Sequence, residues 1–81
     1  MRLRGRKRAA FEEARERILR ALPGVEVEPE APPPEADLAL AVGFPYNYRA
    51  GDVIKAIKAV RPVEREFGLE IAVLPFVRDR G

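Results

Sequence analysis

Three groups of residues in this sequence have the types and spacing to engage a charged or aromatic ligand. The first is the run RLRGRKR, where Arg2, Arg4, Arg6, Lys7 and Arg8 place five cations in residues 1–8 with no acid among them. The second is GFPYNYRAGD, residues 43–52, where Tyr46 and Tyr48 flank the single Asn of the chain and Arg49 follows. The third is acidic: Glu35 and Asp37 lie two apart, and Glu70 follows far along the chain. Cations in a row suit phosphates, because each contact releases condensed counterions. Aromatic rings beside Asn and Arg suit the stacking of a base. Three carboxylates brought together suit Mg²⁺.

Much other chemistry is excluded. The chain has no Cys, His, Ser, Thr, Gln or Trp. Disulfides, thiolate and hydroxyl nucleophiles, imidazole bases and Cys/His metal sites are therefore out of reach. Carboxylates, Lys, Arg, Tyr, Asn47 and backbone amides are the remaining working groups. No cofactor motif is present, and the expectation is a non-enzymatic domain without cofactor or resident metal. Few thermolabile residues and many Arg, Glu and Pro make a thermophile-like composition, which a designed sequence would share. The longest nearly apolar run, LALAVGFPY, falls short of the ~20 residues of a membrane span. With no apolar signal core after the basic start, a cytoplasmic protein away from membranes is expected.

Net charge is only +2, but it is unevenly distributed. Residues 26–37 carry five carboxylates, and no Lys or Arg occurs from 21 to 48. The asymmetry says more than the sum.

The elements that must position these groups follow from periodicity. AAFEEARERILRAL, residues 9–22, is an amphipathic helix with Phe11, Ala14, Ile18 and Leu22 on one face. VEVE, 25–28, alternates as a strand with glutamates on its outer side, as an edge strand does. PEAPPPEA is a stiff polyproline connection. DLALAVGF is apolar enough for a strand that is central or covered on both faces. DVIKAIKAVRPVEREF is a second helix, with Asp52 as N-cap, Gly68 as stop, and a kink or break expected at Pro62. LEIAVLPFV is the last strand.

A helix between the last two strands implies a right-handed parallel crossover. The expected fold is an α/β (α+β) two-layer sandwich in the order α-β-β-α-β, a three-stranded mixed sheet with two helices on one face. Residues 1–8 would form a basic flexible arm and 9–81 a single small domain. Parallel strands gather their carboxyl ends at one rim, which brings loop 44–51, Arg78 and Arg80 together. Lys55, Lys58, Arg61 and Arg65 fall within roughly 120° on the second helix.

The order of elements and the three carboxylates faintly resemble minimal nucleotidyltransferases. That family carries a Gly-Ser pair, an Asp-x-Asp and a third acid. Here EAD (35–37) replaces Asp-x-Asp, and no Ser exists. The resemblance implies at most a degenerate, inactive domain of that kind, with Glu35, Asp37 and Glu70 as its metal candidates.

Two function classes are in play. The first is a nucleic-acid-binding domain, RNA ahead of DNA, acting through Arg2, Arg4, Arg6, Lys7, Arg8, Tyr46, Tyr48, Arg49, Lys55, Lys58, Arg78 and Arg80. The second is an interaction or homo-oligomeric module that uses edge strand 25–28. Each polar group also has an ordinary structural reading, as a solvated helix face, a solubilising tail or the rim of a core.

Overall fold

The computed structural model describes residues 3–78. Helix α1 (Gly5–Ala21) leads into strand β1 (Glu26–Glu30), strand β2 (Leu38–Phe44), helix α2 (Ala50–Phe67) and strand β3 (Ile71–Val77). The sheet order is β1-β2-β3; β1 runs antiparallel to β2, and β2 parallel to β3. The order, the mixed sheet and the parallel crossover are as the periodicity predicts. No described helix is long and apolar enough to cross a membrane.

Strand β2 is central and has two unlike faces. Leu38, Leu40, Val42 and Phe44 are buried in one core with Ala10, Phe11, Ala14 and Ile18 of α1 and Ala56, Val60 and Val63 of α2. Ala39, Ala41 and Gly43 alternate onto the other face, which neither helix covers. Centrality, not double coverage, explains the apolar run. Burying four large side chains of one strand supplies roughly 1.5–3 kcal/mol each.

Local chemistry shifts several boundaries. Helix α1 begins at Gly5 instead of 9, so Arg6, Lys7 and Arg8 occupy its first turn. Arg, Lys and Ala all favour helix, and Leu3 packs against the core just ahead of it. Strand β1 continues through Pro29 to Glu30 because an edge strand can lack an outward N–H. Asp52 is the third helical residue of α2, not its N-cap; its Oδ2 accepts from the Arg49 backbone N–H at 3.0 Å. Pro62 does not break α2, which runs on to Phe67. The residue four back from Pro62 is Lys58, which is exposed, so water can take up the freed carbonyl. Gly68 ends α2 at φ +64°, a conformation that L side chains rarely adopt.

Each sheet edge carries a proline, Pro29 on β1 and Pro75 on β3. Arg78 N–H donates inward to the Phe44 carbonyl at 2.8 Å, so by alternation the odd-numbered β3 residues point outward. The outward Ile71 N–H is taken by Glu64 Oε2 at 2.8 Å, and Pro75 has no N–H to offer.

The two helices run antiparallel, and Glu66 of α2 lies near Glu13 and Arg17 of α1. Hydrogen bonding of the protonated form to Glu13, ahead of desolvation and of like-charge repulsion from Glu13, holds this exposed carboxyl above its ordinary value, with Arg17 opposing. A raised carboxyl pKa adds stability that is fully present below the unfolded value of 4.5 and is lost as pH rises through the folded value. Glu66→Gln is therefore expected to raise Tm at about pH 7, with the gain fading toward about pH 3.5. Thermal melts across that range check it; a gain independent of pH contradicts the raised Glu66 pKa.

Candidate nucleic-acid interface

At the amino end of α1, Arg4 is the N-cap residue with extended backbone (φ −137°) and no side-chain capping bond. No acid lies in the first turn. Arg4, Arg6, Lys7 and Arg8 are exposed, and none of them forms an ion pair among the described residues. A helix amino terminus already carries about half a positive charge, and its first four N–H groups lack partners in the helix. Four more cations there repel one another and the dipole, and an anion relieves both. Arg2 lies outside the described residues.

The parallel pairing brings the ends of β2 and β3 together, as the Arg78–Phe44 bond shows. The side chains divide. Phe44 is fully buried; Tyr48 is tilted against it with ring centroids 5.0 Å apart, and is half-buried. Tyr46 meets Phe44 edge-on at 5.8 Å and keeps 46% of its surface exposed. The opening of α2 adds Arg49, which is exposed. Arg78, expected at this rim for an anion, turns across the sheet instead. Its Nη1 lies 2.7 Å from Glu26 Oε2, and its Nη2 donates to the Gly24 carbonyl at 3.3 Å. Arg80 lies outside the described residues. Lys55 and Lys58 are exposed along α2, away from its buried stripe.

The arm and the aromatic loop do not share a site. Four residues separate the end of helix α1 from Glu26, which pairs with Gly43 at the carboxyl end of β2. A helix of 17 residues spans about 25 Å, so its amino end lies toward the opposite rim of a molecule 34 Å long.

Near that opposite rim are the three acids, which do not form a metal cluster. No group of three such ligands occurs among the described residues. Strand β2 starts at Leu38, so Glu35 lies in a turn and Asp37 in the bend before the strand, where alternation does not apply. Asp37 works as a clamp. Its Oδ2 accepts from the Glu70 N–H at 2.8 Å, and its own N–H donates to the Glu70 carbonyl at 2.8 Å.

Sequence reasoning missed the uncovered sheet face. Register places Glu26, Gly43 and Phe76 in one row, Glu28, Ala41 and Leu74 in the next, and Glu30, Ala39 and Ala72 in the third. The signal lay in the continued alternation VEVEPE and in the small residues at 39, 41 and 43. Gly43 is where the small floor matters most. A Cβ there would lie 2.7 Å from both Phe76 Cζ and Arg78 Cγ, which cross above it.

Gly43→Val is expected to destabilise by about 1–3 kcal/mol in urea unfolding, with Phe76→Ala restoring part of the loss. Asp37→Ala is expected to cost about 1 kcal/mol, Asp37→Asn less, with Mg²⁺ altering neither midpoint. A large Mg²⁺-dependent stabilisation abolished by both variants would instead restore the metal reading. No protein-family model matches the chain, and no significant match was found among curated proteins or solved structures.

Proposed function

We propose that the chain binds nucleic acid through phosphate contacts at the amino end of α1. The observation that carries this reading is the set of four exposed cations, without an ion pair among the described residues, around a helix terminus with no side-chain cap. Their side chains favour helix, but their charge at this end opposes the helix dipole, so folding does not call for the charge. Arg2 extends the same charge run in the sequence. At the far rim, Tyr46 offers an exposed ring and Arg49 a cation, whereas Tyr48 is committed to Phe44. A single strand running the length of the molecule would meet both ends, which favours RNA over duplex DNA.

Fluorescence anisotropy with single-stranded RNA and DNA of one sequence, titrated across salt, tests this. Four contacts predict a log–log salt slope of about −3 for a single strand. Replacing Arg2, Arg4, Arg6, Lys7 and Arg8 by Gln should weaken binding at low salt by about tenfold or more and flatten the slope. The same change should raise Tm, because it removes cations from a helix amino terminus. Loss of binding then cannot be laid to unfolding. Absence of binding to both nucleic acids at low salt ends the proposal.

A further inference from the structure

We propose that the uncovered sheet face is the docking surface for helix α2 of a second copy of this chain. This inference is independent of the nucleic-acid reading, which rests on α1. The face has three parallel stripes. Glu26, Glu28 and Glu30 form an acidic margin on β1, Ala39, Ala41 and Gly43 a small-residue floor on β2, and Leu74 and Phe76 an apolar margin on β3. Arg78 neutralises Glu26, which leaves Glu28 and Glu30 without an ion pair among the described residues. Phe76 is 45% exposed, and a shallow depression runs between Glu28, Glu30, Ala41, Leu74 and Phe76.

The occupant with the matching pattern is in the chain itself. On α2, opposite the buried Ala56, Val60 and Val63, lie Lys55, Lys58, Arg61 and Arg65, all exposed. Ile54 and Ile57 belong to the same outward surface, 49% and 37% exposed. At 100° per residue the two isoleucines fall toward one side of this arc, and Lys58 and Lys55 toward the other. A helix laid along β2 can therefore set its lysines beside Glu28 and Glu30 and its isoleucines beside Leu74 and Phe76. Dimensions agree: α2 is about 27 Å long, β3 about 23 Å, and a three-stranded sheet is about one helix diameter wide. The floor is open at Ala41, where the depression lies, and a small residue there lets a helix approach closely; at Gly43 the Phe76 and Arg78 side chains already cross it.

The two surfaces lie on opposite sides of the molecule, so the contact is head-to-tail and does not close in a pair. Growth beyond a dimer is the expected signature. It also differs in kind from strand addition at edge 25–28, where Pro29 and the glutamate row make a poor template.

Sedimentation velocity on nuclease-treated protein across concentration and salt tests this. Wild type should show a weight-average mass that climbs past two chains at low salt and falls back to one chain as salt rises. Glu28→Lys with Glu30→Lys, and separately Lys55→Glu with Lys58→Glu, should each remain monomeric. Their equimolar mixture should associate again, since each variant presents the complement of the other. Circular dichroism confirms that each variant is folded. A wild type that stays monomeric at millimolar concentration and low salt overturns the proposal. So does association that both variants retain, or variants that fail to rescue each other.

Discussion

The parallel pairing of β2 with β3 is the constraint on which the rest of the structure depends. Parallel neighbours cannot be joined by a tight turn, so the chain must travel the length of the sheet between them. Helix α2 is that return path. Its presence commits the apolar side of β2 to one layer and sets α1 beside it. Register then follows from Asp37 at one end, bonded to Glu70, and from Phe44 at the other, bonded to Arg78. The two ends are pinned by different chemistry, a side-chain carboxylate at the start and a main-chain carbonyl at the finish.

From this arrangement comes a division of charge. Cations without an ion pair among the described residues collect at the amino end of α1 and on the outside of α2, whereas acids line β1. Arg78 is the exception that reveals the rule. It sits where a rim cation was expected, yet it crosses Gly43 to reach Glu26, so one of the most promising side chains for a ligand serves the interior of the surface instead. The acidic triplet changes meaning in the same way. Asp37 is a structural hinge pin between strand starts, and Glu35 belongs to a turn.

The sequence made the architecture legible because its periodicities are strong and different. Phe11, Ala14 and Ile18 repeat at helical spacing, and VEVE alternates. What it could not convey was which face of β2 would be covered, since Ala39, Ala41 and Gly43 look as apolar as Leu38, Leu40 and Val42. Pro62 misled for a related reason. A proline costs a helix one hydrogen bond, but packing of Val60 and Val63 into the core on either side holds α2 together. The candidate interface was legible as composition and not as place. Runs of charge are visible in one dimension, whereas the distance from Arg6 to Tyr46 depends on which way α1 lies across the sheet. Side-chain commitments such as Tyr48 on Phe44 leave no trace in spacing at all.

The prolines on both outer strands have a consequence for how this domain behaves when it is partly melted. Cross-β fibrils grow by recruiting unpaired backbone donors, and an edge missing a donor at mid-strand cannot propagate a regular ladder. Here Pro29 guards one margin and Pro75 the other, while Glu64 occupies a further donor beside the second. Heat that loosens α2 would free the donor that Glu64 holds, but the two prolines stay in the strands and keep each edge short of a full row of donors.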